Sequence, residues 1–595
     1  MLFSLLNAIF KRPSRTDGDR SVESLMQRAQ QLHHEGDVAG ARELCRAILS
    51  RSPRHARAHC LLGVLCGQSG ELDRAVPYLQ QAIELAPDLA DAHLALGNVH
   101  KLRGDGPLAE TSYRNAVACD PDSPTAHYSL ALVLNYHGQH EAALRHLDRA
   151  CSLAPAFDDA IRERVLCLIR LERYEEAVSF LMEVTARLPD SAPLQACLGF
   201  AWQEAQQTAK ALTCYERAQQ LGHVDAELFK NLGIVLQQLG RIEEALGAYD
   251  QAIVLQPDNP LAKFDRALAR LLSGNYAAGW PDYELRLISE DRPPRPALFP
   301  RWENQPLAGR SILVHGEQGL GDEIMFASCL PQVVAQADRC LISCSSKLER
   351  IFRRSFPEAE IFVADAGGRL PLEVGNSGVD FEVPAGSLPL YLRRSWDDFP
   401  AHGGYLRADA QRVDYWRRRL DGLGPGLKVG ISWQGGTHKT RGPLRSIPLT
   451  QWLPVLRTPG IRWVSLQYAG AGAALAEIKA EHGIEIAHWQ DAVDDYDETA
   501  ALVGALDLVL SVDTALVHLS GALGKATWVM VPYSPEWRYG FAGDSMPWYP
   551  SVRIVRQPSY QDWDSVISRV AQNLKRSAVK VRPRDQELLS RSHRG

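Results

Sequence analysis

ELDRAVPYLQQAIELAPDLADAHLALGNVHKLRG, residues 71–104, is one period of a pattern that fills the first half of the chain. Within it stand Ala75, Pro87 and Gly97, and all three kinds of position return every 34 residues. The proline recurs as Pro53, Pro87, Pro121, Pro155, Pro189 and Pro257, with His223 in the one missing slot. The alanine twelve residues earlier recurs as Ala41, Ala75, Ala109, Ala143, Ala177, Ala211 and Ala245. Small residues mark the first helix of most units, at Ala29, Gly63, Gly97, Ala131, Gly199 and Gly233. Such spacing predicts paired helices in a stacked array. Small residues let helices cross closely, and Tyr113, Leu147, Tyr215 and Tyr249 are expected to fill the space between units. Proline closes each second helix because it cannot extend an interior turn.

The period resembles the tetratricopeptide repeat over residues 22 to about 257. An eighth, degenerate unit runs through Ala267, Gly274 and Tyr283, where GWPDYELRL departs from the pattern and is expected to cap the array. Repeat arrays bind peptides along the wall made by their first helices. That wall is expected to carry Asn98, Lys101, Tyr128, Asn135, Tyr136 and Arg162, then Arg170, Lys230 and Gln237. O-GlcNAc transferases, which also join such an array to a transferase, line theirs with an asparagine ladder. Here only Asn98 and Asn135 are available, and the mixed wall points to one dedicated protein partner; a solvated inner face is the alternative for any single residue.

With 595 residues, the chain is too long for one core. Its net charge of -6 argues against binding nucleic acid through phosphate neutralisation. The opening MLFSLLNAIF is apolar but too short to span a bilayer, so no transmembrane segment is expected. Eleven scattered cysteines without a CxxC pair read as reduced thiols in a cytoplasmic protein.

After the proline-rich DRPPRPALFPRW the pattern changes to short apolar runs alternating with helices. SILVHG (311–316) reads as a buried strand, followed by the loop EQGLGDE and a helix through Ile324–Val334. CLISC, EIFV and VDFEVP continue the alternation. A helix from Asp409 to Leu420 leads to a second set, KVGISW, RWVSLQ, LDLVLSV and ATWVMVP. Alternating strands and helices predict parallel sheets, in which ligands sit beyond the carboxyl ends of the strands.

The stretches GEQGLGDEIMF, GISWQGG, RSIPL, SLQ, SVDTALVHLSGALGK and FAGDSMPWYP resemble glycosyltransferases of the heptosyltransferase superfamily. They are closest to its bacterial subgroup fused to tetratricopeptide repeats, which includes flagellin glycosyltransferases that attach nonulosonic sugars to Ser or Thr. The resemblance covers about residues 298–575 and implies the GT-B plan of two doubly wound lobes. The expected division is an N-terminal segment (1–20), repeats (21–290), an acceptor-side lobe (291–408), a donor-side lobe (409–575) and a basic tail (576–595) of disordered composition. The implied activity is protein O-glycosylation from a nucleotide-sugar, a CMP-linked nonulosonic acid among the options, by an inverting, metal-independent reaction without a cofactor. Flagellin is the leading acceptor. A lipopolysaccharide transferase and a non-catalytic adaptor are the alternatives.

Sugar transfer needs a phosphate pocket, a base and a stabiliser for the leaving phosphate. The phosphate site is expected at Thr514 and Ala515, where a helix follows LDLVLSV and presents free amides. Asp513 has two readings, a helix cap or a partner for sugar hydroxyls. His518, one turn on, either meets phosphate or sugar or serves structure. Arg445, within RSIPL, is the expected stabiliser by family pattern, while Lys439 and Arg441 read as a solvated loop. The loop between Gly319 and Gly321 offers Glu317, Asp322 and Glu323; the heptosyltransferase pattern makes Asp322 the base, and a helix cap is its other reading. Trp433, Gln434 and Gln467 end strands and are expected at the cleft, Trp433 either stacking on a base or packing in the core. Trp537, Arg538, Asp544 and Ser545 are placed after the last strand, near the sugar. No carboxylate cluster resembles a metal site.

Overall fold

The computed structural model describes residues 20–288, 297–365, 369–436 and 442–580. The apolar N-terminal segment, Lys439, Arg441 and the tail beyond residue 580 lie outside the described residues. The chain divides into two compact units, 1–224 and 225–595.

The first unit is built of helix pairs, beginning with Arg20–His34 and Val38–Arg51 and ending with Ala192–Glu204 and Thr208–Gln220. The small residues act inside each pair. A Cβ added at Gly97 would lie 2.5 Å from Tyr113, and one at Gly199 would lie 2.7 Å from Tyr215. The tyrosines therefore fill the crossing within a unit, which corrects their expected place between units. The reason is registry: each tyrosine sits on the second helix opposite the glycine of the first.

Each repeat proline stands two residues beyond a helix end, and its carbonyl has a recurrent partner. His59, His93 and His127 approach the carbonyls of Pro53, Pro87 and Pro121 through Nε2 at 2.9, 2.9 and 3.0 Å. In a later unit Gln195 donates to the Pro189 carbonyl at 3.3 Å. A side chain six residues after the proline thus satisfies a backbone carbonyl in the turn between helices.

His127 also meets His146, Nδ1 to Nδ1, at 2.9 Å. Burial, then the neighbouring His127, Arg114 and Arg145, push the His146 ring down to about 4. In the unfolded chain the same ring takes a proton near its ordinary value of 6.5. Between those values the unfolded state binds more protons, so stability rises with pH there and is lost as pH falls. Thermal unfolding followed from pH 7 to 4 should show this arm weakening, and His146→Gln should flatten the slope.

The second unit opens with the helix pairs Ala226–Gln238 with Ile242–Leu255 and Pro260–Leu272 with Tyr276–Tyr283. Two wholly parallel sheets follow. The first contains β1 (Ser311–His315), β2 (Arg339–Cys344), β3 (Glu360–Val363) and β4 (Phe381–Pro384), in the order β3-β2-β1-β4. The second contains β5 (Leu427–Ser432), β6 (Ile461–Ser465), β7 (Ile486–His488), β8 (Leu508–Val512), β9 (Thr527–Val531) and β10 (Val552–Arg556), in the order β10-β9-β8-β5-β6-β7. ATWVMVP is therefore not the last strand, because β10 pairs parallel to β9 beyond it. The final helix, Trp563–Lys580, packs Val566, Ile567, Val570 and Leu574 into the second sheet's core and runs past the expected start of the tail.

Local sequence explains the remaining differences. The expected helix Ile324–Val334 is instead Leu320–Phe326, a 3₁₀ turn, and Leu330–Gln336, with Pro331 in the first turn of the last piece. Proline is tolerated there because the amide it lacks has no intrahelical partner. Asp409 caps the helix Ala410–Asp421 by accepting from the Arg412 amide.

The degenerate unit is held by aromatic packing. Trp280 lies edge-on to Trp537 and Trp548, with centroids 5.4 and 6.4 Å away, and donates to the Arg393 carbonyl at 2.6 Å. Tyr283 contacts Phe326 of the first sheet's helix and Trp537 of the second sheet's loop. GWPDYELRL departs from the repeat pattern because it packs against both sheet regions.

Candidate functional site

Two strand-to-helix turns meet between the sheets. One leaves β1 through Gly316–Gly319 into Leu320–Phe326; the other leaves β8 through Asp513 into Ala515–Ala522. Their approach depends on Gly321: a Cβ there would lie 3.1 Å from His518 and 3.4 Å from the Ala515 backbone. Beside this contact is a cavity of about 350 Å³. Gly321, Asp322, Lys347, Arg445, Tyr468, Asp513, Thr514, Ala515, His518 and Arg538 all line it.

The helix start is open to this cavity, with Thr514 and Ala515 half-buried. Thr514, rather than Asp513, is its N-cap residue, and no side chain caps it. The Thr514 hydroxyl lies 3.1 Å from that of Ser511. Asp513 is spent differently from the expected cap: Oδ1 accepts from Tyr539 at 2.8 Å and Oδ2 from Arg445 at 3.2 Å. Its carboxylate is held by these two donors and accepts no capping hydrogen bond from the helix.

Asp322 also has a different role from capping. Gly319 holds the N-cap position of its helix, and Asp322 Oδ1 accepts from Arg538 Nη2 at 2.9 Å. Two arginine–aspartate pairs thus flank the helix start. Arg538 keeps its charge despite burial because Asp322, Glu536 and Asp513 surround it. Burial, then Arg538, hold His518 well below the ordinary histidine range, so its ring is neutral at pH 7. Its Nδ1 lies 3.0 Å from the Tyr549 hydroxyl, and Nε2 is buried without a partner among the described residues.

The other two acids of the glycine-rich loop are occupied. Glu317 accepts twice from Arg286, at 3.0 and 2.6 Å, and once from the Gly386 amide at 2.8 Å. Glu323 accepts from the Ser345 amide at 2.9 Å. Neither lines the cavity, and Asp322 does.

Trp433 is 3% exposed and packs in the second sheet's core, with an edge on a separate cavity that it shares with Gln434. Gln467 is buried; its Oε1 accepts from the amides of Trp433 and Gln434 at 3.1 Å each, and its Nε2 donates to the Gln434 carbonyl at 2.9 Å. It clamps the end of β5. Asp544 pairs with Arg553 on β10, and Ser545 forms a bridge to the same residue, so neither lines the cavity.

In the repeats, Asn98 is buried and accepts from Tyr113 at 2.7 Å, while Tyr128 packs on Phe157. Asn135 is buried too and donates to Glu163 at 2.9 Å. Their expected place on an open wall fails because each is buried against the partner just named, on helices that still expose other residues. Lys101 and Tyr136 remain exposed, and Arg162 pairs with Asp159 at 2.7 Å.

Tetratricopeptide-repeat models match residues 27–90, 67–124, 122–257 and 230–296. Protein FlbA of Caulobacter vibrioides is 32% identical over 430 residues, spanning 69% of this chain and 71% of FlbA. The chain belongs to the FlbA family. Among solved structures, Pseudomonas aeruginosa pilF covers 35% of this FlbA-family chain and 95% of its own, at 20% identity and a TM-score of 0.31. The Thermus thermophilus tetratricopeptide-repeat protein TTC0263 covers 31% and 100%, at 25% identity and a TM-score of 0.27. Within the described residues, no helix is long and apolar enough to cross a membrane.

Proposed function

We propose that this FlbA-family protein is a glycosyltransferase of the GT-B plan, moving a sugar from a nucleotide onto Ser or Thr of a protein held by its repeats. One observation carries the reading: a single cavity is lined by an open helix start, two arginines and a carboxylate on the facing turn. The helix amides at Thr514 and Ala515 favour an anionic phosphate. Arg445 and Lys347 add positive charge to the same cavity.

In the reaction the acceptor oxygen bonds to the anomeric carbon while that carbon's bond to the phosphate oxygen breaks. The hydroxyl proton passes to Asp322, and the bonding pair leaves with the phosphate. Charge grows on that phosphate in the transition state, where the helix start and Arg445 stabilise it. One displacement from the opposite face inverts the anomeric centre. Flagellin is the leading acceptor and a CMP-linked nonulosonic acid a leading donor, both from the family resemblance.

The test incubates the full chain with radiolabelled CMP-, UDP- and ADP-sugars and purified flagellin. Label should enter flagellin from one donor, with release of the free nucleotide. If no nucleotide shifts the melting temperature and no sugar is turned over, the proposal fails.

A further inference from the structure

A second cavity, of about 210 Å³, lies in the unit 225–595, between its helix pairs and the second sheet. One wall comes from the first helices of the last two pairs, through Ile234, Gln237 and Leu268. The other comes from the turns that follow β9 and β10, through Ser534, Glu536 and Gln557. The walls are fixed to each other. Gly240 packs so closely that a Cβ would lie 2.6 Å from Tyr533, and the Phe541 amide donates to the Leu272 carbonyl at 2.9 Å.

This cavity shares only Arg445 and Asp513 with the phosphate cavity, so their ion pair forms the partition between the two. Their chemistry differs. The phosphate cavity sets three bases, Lys347, Arg445 and Arg538, against two acids, Asp322 and Asp513. In the second cavity Arg445 is the sole base among the described lining residues, against Asp265, Asp513 and Glu536. An anionic nucleotide is repelled there. Carboxamides beside aliphatic and aromatic side chains instead suit a neutral polypeptide, whose backbone needs both donors and acceptors.

We propose that this second cavity is the acceptor site, taking an extended, uncharged polypeptide segment and presenting its Ser or Thr hydroxyl across the Arg445–Asp513 partition. The assignment rests on the transferase reading and adds to it a place and a charge preference: acidic residues beside the hydroxyl are disfavoured by the carboxylates.

The test uses the full chain and a fluorescein-labelled peptide of Gly, Ser and Thr, with a Glu-flanked version beside it. Binding is followed by anisotropy in saturating nucleotide, and nucleotide binding separately by thermal shift. Ile234→Trp and Ser534→Trp fill the cavity from opposite walls. Each should weaken binding of the neutral peptide at least about tenfold, which is about 1.4 kcal/mol, with the nucleotide shift unchanged. The Glu-flanked peptide should bind the parent protein at least about tenfold more weakly than the neutral one. Unchanged peptide binding in both variants, equal binding of the two peptides, or no peptide binding by a parent that does bind nucleotide overturns the acceptor site. Loss of the nucleotide shift in the parent overturns the transferase reading instead.

Discussion

Under the proposed sugar transfer, Asp322→Asn protein should fold and bind nucleotide like the parent, yet react about a thousandfold more slowly. The asparagine oxygen can still accept the Arg538 hydrogen bond, so the turn is expected to keep its place. What is lost is a group able to take the acceptor's proton, and a positioned base contributes about 10²- to 10⁴-fold to rate. The outcome separates two roles for the same carboxylate. If Asp322 only holds Arg538, the asparagine variant should work nearly as well as the parent. The companion variant Arg538→Met removes the other half of the pair and leaves Asp322 without that partner. Removing one charge of a buried pair costs about 3–5 kcal/mol, and this pair is part-buried. Arg538→Met should therefore lower the melting temperature along with activity, while Asp322→Asn, which keeps a hydrogen bond to Arg538, should lower it less.

Gly524→Ala should cost more stability than any other alanine substitution named here. Gly524 ends the helix that begins at Ala515, with φ +69, and a Cβ there would lie 1.9 Å from the Gly403 carbonyl oxygen. The segment carrying Gly403 cannot move aside easily, because the amides of Tyr405 and Leu406 both donate to the Ala522 carbonyl, at 2.8 and 2.9 Å. The clash is backbone against backbone, and a loss of at least about 3 kcal/mol is expected. Gly483→Ala is the control: its φ is +64, but nothing lies within 4 Å of the added carbon. It should lose only the left-handed cost of about 1–2 kcal/mol. Denaturant midpoints of the two variants, measured side by side, check the difference; equal losses would mean that the Gly403 segment yields.

The repeats were readable from sequence because their pattern is local: a proline, an alanine and a small residue at fixed spacing recur in phase. The parallel sheets were readable for a similar reason, since short apolar runs alternate with helices. What sequence spacing left hidden was pairing across distance. Arg538 and Asp322 are 216 residues apart, and nothing local to either marks the other as its partner. The cap readings of Asp322 and Asp513 were local and failed to long-range partners, Arg538 for one, Arg445 and Tyr539 for the other. Asn98 and Asn135 were misplaced for a related reason: helical periodicity gives a face, while the neighbouring helices decide whether that face stays open. A signal for the role of GWPDYELRL did exist in Trp280, which stands where earlier units carry the aliphatic Val178, Leu212 and Leu246.

The aromatic block around Trp280 has a practical corollary for anyone regrafting this protein's recognition arm. A splice at the proline-rich connector would strip Trp280 and Tyr283 from Trp537, Trp548 and Phe326 and expose a large oily surface. A splice between Val224 and Asp225 keeps that block whole. Chimeras should therefore exchange modules upstream of Asp225 and carry the last two helix pairs along with the sheets.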